Sequence, residues 1–185
     1  PWANVIYFNV NPGNWLNGYM TMGPVGWNPV LGKVEGGRFY FAIDIEPDMS
    51  PGYYDSLFIA GSVKSKDGYI IRTVDGMSFD GPDYIWLTPV AGETQGADFT
   101  AVMGSQVQPQ AWYKFKLNPY SDIIQINTNP GGWLNGYTQW PDHVHVHLGM
   151  AEMGRFVIAL DFHKPQDYYA IGLVVGKTST ADGYM

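Results

Sequence analysis

One stretch of this chain occurs twice, and that repetition restricts the fold more than any other feature. Residues 9–19 read Asn-Val-Asn-Pro-Gly-Asn-Trp-Leu-Asn-Gly-Tyr, and residues 127–137 read Asn-Thr-Asn-Pro-Gly-Gly-Trp-Leu-Asn-Gly-Tyr. The correspondence continues downstream. Gly37-Arg38-Phe39-Tyr40-Phe41-Ala42-Ile43-Asp44 answers Gly154-Arg155-Phe156-Val157-Ile158-Ala159-Leu160-Asp161. Tyr53-Tyr54 and Asp67-Gly68-Tyr69 answer Tyr168-Tyr169 and Asp182-Gly183-Tyr184. The register slips slightly between blocks, which places the insertions in loops. The chain therefore holds a duplicated unit of about 60 residues. The copies run from 3 to 69 and from 121 to 185, around a middle segment, 70–120, with no later counterpart. The expectation is one β-domain over 1–185.

Apolar alternation with a period of two marks strands almost throughout. Phe39, Phe41 and Ile43 fall on one face of 38–44, and Phe156, Ile158 and Leu160 repeat the pattern in the second copy. Further strands are expected at 5–10, 54–63, 69–74, 123–128, 144–148 and 169–176. The middle segment should add 83–90, 97–103 and 111–117. No window shows a capped helical period. About a dozen short strands with frequent Gly and Pro turns predict an all-β fold, an antiparallel β-sandwich, with a closed β-barrel as the alternative.

Composition excludes several functions. A net charge of −7 without a Lys/Arg cluster offers no footprint for nucleic acid. No apolar run is long enough for a membrane-spanning helix. The absence of cysteine removes disulfides, thiolate metal sites and thiol nucleophiles. The chain starts at Pro1, as after removal of an initiator Met or of a leader. The compartment stays open, with an extracellular setting favoured over the cytoplasm. No nucleophile-elbow, phosphate-loop, dinucleotide or zinc-protease motif occurs, and no carboxylate pair can be set across a cleft as a glycosidase requires. The run from Asp75 to Asp83 is rich in oxygens but lacks the spacing of a calcium loop, so it reads as an acidic turn.

Two constellations carry chemistry. In the duplicated loop, Pro-Gly suits a type II turn and Asn-Gly a type I′ hairpin, leaving Trp and Leu in a short excursion between them. If Trp15, Asn17 and Tyr19, and likewise Trp133, Asn135 and Tyr137, face solvent, each loop offers an apolar plate beside amides. That set suits a glycan or another small polar ligand, whose C–H groups stack on rings while its hydroxyls bond to amides. The competing expectation is a hairpin corner whose Trp plugs the core.

The second constellation is the alternation of His143, His145 and His147 with Val144, Val146 and Leu148. Pairing apolar face to apolar face restricts the register to Leu148 opposite Ile158, Val146 opposite Leu160 and Val144 opposite Phe162, or to a two-residue slip of these. In the first register His145 meets Asp161, and His143 meets His163. His143, His145, Asp161 and His163 could hold Zn²⁺ or Cu²⁺. The outer two histidines of the strand lie ~13 Å apart, so only one adjacent pair can join such a set. The competing expectation is a solvated polar face. In the first copy the same register would group Asn28, Tyr40, Asp44 and Arg38 on a surface able to address hydroxyls.

Three functions follow from these readings. The leading one is a non-catalytic, lectin-like carbohydrate-binding protein with two related sites. The others are a metal-binding protein or metal-dependent enzyme centred on the histidine hairpin, and a structural or adhesive repeat protein.

Overall fold

The computed structural model describes residues 4–21, 27–45, 56–74, 78–86, 112–117, 122–139, 144–161 and 171–185. These residues form two antiparallel meanders of seven strands each. The first sheet runs in chain order through β1 (Val5–Val10), β2 (Trp15–Thr21), β3 (Trp27–Glu35), β4 (Arg38–Asp44), β5 (Ser56–Ser62), β6 (Asp67–Val74) and β7 (Ser78–Trp86). The second holds β8 (Trp112–Leu117), β9 (Asp122–Thr128), β10 (Trp133–Gln139), β11 (Val144–Glu152), β12 (Arg155–Asp161), β13 (Ile171–Lys177) and β14 (Asp182–Tyr184). The sheets are open, which decides for the sandwich over the barrel. The middle segment is shared out: β7 extends the first sheet and β8 extends the second. The strand expected at 97–103 lies outside the described residues.

The duplication is visible in the pairing. β1–β2 and β9–β10 close around the same loop, and β3–β4 and β11–β12 around the same two-residue turn. Gly36 and Gly37 both have positive φ, as do Met153 and Gly154. This is the backbone of a type I′ turn, whose twist matches that of the strands it joins. Its length sets Glu35 opposite Arg38 and Glu152 opposite Arg155.

That turn overturns the register expected from hydrophobicity. Leu148 lies opposite Ala159, and His147 opposite Leu160, one residue away from the expected pairing. The first copy shows the same offset, with Val30 opposite Ile43. The cause is that both faces of these strands are apolar and buried. Tyr40, Ala42, Phe58, Ala60 and Ile71 point one way, into a cluster shared with Trp133, Leu148, Met150, Val157, Ala159 and Leu173 of the other sheet. Phe39, Phe41, Ile43, Leu57 and Ile59 point the other way, into a cluster confined to the first sheet. Ile124, Ile126, Leu134, Ile158 and Leu160 do the same in the second. Apolar pattern alone cannot choose between registers when both faces are filled.

The private cluster of the first sheet is closed by curvature. The rings of Phe8 on β1 and Phe41 on β4 lie 5.3 Å apart, although three strand spacings of a flat sheet would be ~14 Å. Glycines permit this folding. Phe8 pairs with Gly18, Phe41 with Gly32, and Phe39 with Gly61, so each ring lies beside a residue without a Cβ. The second sheet repeats the last of these with Phe156 and Gly176.

Across the shared core the two copies meet reciprocally. Arg38 Nε donates to Glu152 Oε1 at 2.8 Å, and Arg155 Nη2 lies 2.6 Å from Glu35 Oε2. Each pair joins one copy's arginine to the other's glutamate, as an approximate two-fold relation requires. Tyr40 donates its hydroxyl to the same Glu152 oxygen at 2.6 Å. Burial, reinforced by the Glu152 charge, holds that phenol well above its usual range, so it stays a donor.

The glycine positions under the rings give a direct test. A Cβ at Gly61 would sit 2.2 Å from the Phe39 ring and 2.5 Å from the Asp67 carbonyl; at Gly176 the distances are 2.3 Å to Phe156 and 2.4 Å to the Asp182 carbonyl. Gly61→Ala and Gly176→Ala should each destabilise by about 1–3 kcal/mol, measured by chemical denaturation, as overpacking does.

Candidate functional site

The duplicated loop is a hairpin connection built alike in both copies. Gly13 has φ 77 and ψ 12, and Gly131 φ 80 and ψ 7, the third-position geometry of a type II turn. The Asn14 amide donates to the Asn11 carbonyl at 3.0 Å, and Gly132 to Asn129 at 3.1 Å. The asparagine side chains then brace the turn. Asn11 Nδ2 donates to the Trp15 carbonyl at 3.2 Å and to Asn17 Oδ1 at 2.7 Å. Asn129 Nδ2 makes the same two bonds, to Trp133 and Asn135, at the same two distances. The expected second turn at Asn-Gly is absent, because Trp15 and Trp133 already begin strands β2 and β10. Gly18 and Gly136 are strand positions where a Cβ would strike the Tyr7 and Gln125 carbonyls, at 1.8 and 1.9 Å.

The six loop residues expected to bind a ligand are thus split by burial. Trp133 and Asn135 are buried, and Trp133 meets Phe58 of the opposite sheet edge-on at 6.4 Å. Tyr137 is half-buried. In this copy the Trp plugs the core, which corrects the expectation of an exposed plate. In the first copy Trp15 and Tyr19 are half-buried and Asn17 is exposed. One neighbour accounts for much of the difference. Trp133 pairs with buried Met150, whereas Trp15 pairs with Lys33, whose ammonium lies 4.5 Å from the ring centroid and bonds to the Gly13 carbonyl at 2.5 Å. A charged head must keep contact with water or carbonyls, so the edge of the core stays open there. Burial nonetheless lowers the Lys33 pKa from its ordinary value, opposed by the Glu35 charge. Beyond Asn17, Tyr19 stacks on Tyr7 with centroids 4.8 Å apart.

The histidine hairpin also differs from expectation. His147 is buried, and its Nε2 lies 2.6 Å from the Thr138 hydroxyl. It shares the face of Ile158 and Leu160, so that face is core and not a solvated strip. His145 lies on β11 opposite Thr138, while Asp161 ends β12 opposite Ile171. Carried one step further, the observed register sets Asp161 level with Val146 and not with His145. His143 and His163 lie outside the described residues. Among the described residues no group of three or more His, Asp or Glu side chains could hold a metal ion. The first-copy group is divided and does not form an exposed surface. Asn28, Tyr40 and Asp44 are all buried, and the register puts Asn28 on the sheet face opposite Arg38, Tyr40 and Asp44.

A different aromatic group does face solvent. Tyr69 on β6 and Tyr84 and Trp86 on β7 are 46%, 54% and 59% exposed. Tyr69 pairs with Tyr84 and Asp67 with Trp86, so all four side chains share one face. The Tyr69 and Tyr84 rings meet edge-on at 5.7 Å, and Tyr84 and Trp86 follow at 6.1 Å with 31° between their planes. Asp67 anchors the row: Tyr84 donates its hydroxyl to Oδ2 at 2.8 Å, and Ser65 donates to Oδ1. The Ser65 bond first, and the Tyr84 bond next, hold the Asp67 carboxyl below its ordinary value. The same carboxylate pushes the Tyr84 phenol up. The alternation Tyr84-x-Trp86 within the strand expected at 83–90 was a readable signal. Bringing Tyr69 beside them depends on the β6–β7 register, which shifts between Ile70 and Arg72.

Comparison with protein-family models, curated proteins and solved structures finds no match to this chain. Among the described residues no helix is long and apolar enough to cross a membrane.

The contrast between the two loop tryptophans should appear in stability. Trp133→Ala should cost about 3–5 kcal/mol in denaturant titrations, as for a large buried ring. Trp15→Ala should cost clearly less, because part of its ring is already in water.

The Asp67–Tyr84 bond should also show in titration. The depressed Asp67 pKa means its contribution is present at neutral pH and lost as pH falls through the folded value. The raised Tyr84 pKa means the phenol contribution is lost as pH rises through its folded value. An ultraviolet difference titration of Asp67→Ala against wild type should show one tyrosine ionising at lower pH in the variant.

Proposed function

We propose that this chain is a non-catalytic carbohydrate-binding protein whose principal contact surface is the Tyr69–Tyr84–Trp86 row. The exposure of three adjacent rings on one strand pair carries the reading. Rings of this size left in water lose the burial that normally stabilises them, and contiguous exposed apolar surface marks interaction sites. Aromatic plates beside fixed polar groups fit sugar rings better than they fit a continuous apolar ligand. The C–H face of a pyranose lies against a ring, while hydroxyls reach a nearby acceptor. Asp67 supplies that acceptor, since its carboxylate has lone pairs beyond those used by Ser65 and Tyr84. Tyr84 and Trp86, two residues apart with planes 31° from parallel, make a stepped plate suited to consecutive sugar units. The first-copy loop, with exposed Asn17 beside the Tyr7–Tyr19 stack, provides a second, smaller surface of similar chemistry.

The test is a glycan array followed by calorimetry on any ligand retained. Trp86→Ala and Tyr84→Ala should each weaken binding by about 1–3 kcal/mol, as central aromatic contacts do. Because these rings are largely solvated, the melting temperature should barely move. An array with no retained glycan, or binding untouched by both substitutions, defeats the proposal.

A further inference from the structure

The two sheets differ at one edge, and the difference points to a second kind of partner. β9 is bonded on one side to β10 and on the other to β8, Trp112–Leu117. Its counterpart in the first copy, β1, pairs with β2, and among the described residues no strand lies on its other side.

Hydrogen bonding at the hairpins tells which backbone groups face that open side. The Asn11 amide donates to the Trp15 carbonyl at 2.8 Å, and Asn129 donates to Trp133 at 2.8 Å. Bonded pairs alternate along an antiparallel ladder. Odd-numbered residues of β1 are therefore bonded toward β2, and Ile6, Phe8 and Val10 turn their N–H and C=O groups outward. In the second sheet the corresponding Ile124 and Ile126 face β8, opposite Phe115 and Tyr113.

Exposed edges are ordinarily blunted by charge, proline, a bulge or shortness, since an unprotected one recruits another strand. The far edge of the first sheet shows these devices: β7 carries Asp80, Pro82 and Asp83, and its register shifts between Ile70 and Arg72. β14 has only three residues, one of them Asp182. β1 has none of them. It reads Val-Ile-Tyr-Phe-Asn-Val, pairs with β2 over six unbroken positions, and exposes Phe8 and Val10.

We propose that β1 binds an extended segment of another polypeptide as an additional antiparallel strand. Its occupant follows the pattern that the equivalent edge already holds, Trp-Tyr-Lys-Phe-Lys-Leu, in which aromatic residues alternate with lysine. Lysine on the incoming strand also suits a chain of net charge −7. The mode is strand addition, in which main-chain bonds supply the affinity.

The probe is a synthetic peptide carrying the sequence of residues 112–117, titrated into the full chain and followed by fluorescence anisotropy. One-to-one saturable binding is expected. N-methylation of the peptide at the positions of Tyr113 or Phe115, whose amides would face β1, should weaken it about tenfold each, the loss of one bond. N-methylation at the Lys114 position, whose amide faces away, should leave binding unchanged. In the protein, Phe8→Pro removes one outward N–H while sparing the bonds to β2, and should weaken binding similarly; Val10→Pro tests the same edge without touching the Phe41 contact. No binding overturns the proposal. So does binding indifferent to the Pro variants, which would mean exchange with β8. Sedimentation showing a dimer that Phe8→Pro and Val10→Pro abolish would give the edge to a second copy and overturn it as well.

Discussion

The two-residue turns at 36–37 and 153–154 govern the rest of this structure. With positive φ at both central positions in each, they admit one hairpin geometry and fix which residues of β3 and β4, and of β11 and β12, stand opposite each other. From that register follow the partition of side chains between shared and private clusters and the position of Glu35, Arg38, Glu152 and Arg155 at the hairpin tips. The ion pairs that exchange between copies are possible because each tip presents a carboxylate and a guanidinium side by side. Partly exposed pairs contribute modestly to stability. Their larger effect is directional: like charges would meet if the sheets slid past one another.

Duplication followed by local divergence explains why the copies do not present equal surfaces. Lys33 and Met150 occupy equivalent places, yet one props the edge of the core open beside Trp15 and the other lets Trp133 sink into it. The contacts between sheets keep the exchanged pattern, with β13 against β3 and β11 against β5. The outer strands do not. β7 adds an aromatic row to one sheet, and β8 closes an edge of the other. The surfaces assigned to ligand and partner therefore depend on where the copies depart from each other: Tyr84 and Trp86 join the repeated Asp67 and Tyr69, and among the described residues the repeated strand β1 lacks the neighbour that β9 has.

Much of the architecture is legible in the residues. The boundaries of β1 and β4, the Pro-Gly type II turns and the all-β character follow from local backbone preference and period-two alternation, which need no tertiary information. The candidate site was less legible. Alternation says that His143, His145 and His147 share a face, but not whether water or a second apolar layer covers it. In this chain both faces are covered, so His147 lies in the core beside Thr138.

The sequence by itself determined that the chain duplicates a β-unit, the bounds of strands such as β1 and β4, and the Pro-Gly turns, because these depend on neighbours a few residues apart. Only the tertiary structure decided the burial of His147, the sinking of Trp133, and the meeting of Tyr69 with Tyr84 and Trp86. Each of those depends on what a curved sheet brings against its own back or against its twin. A pattern of apolar residues records that a side chain is to be buried; it carries no record of which surface will bury it.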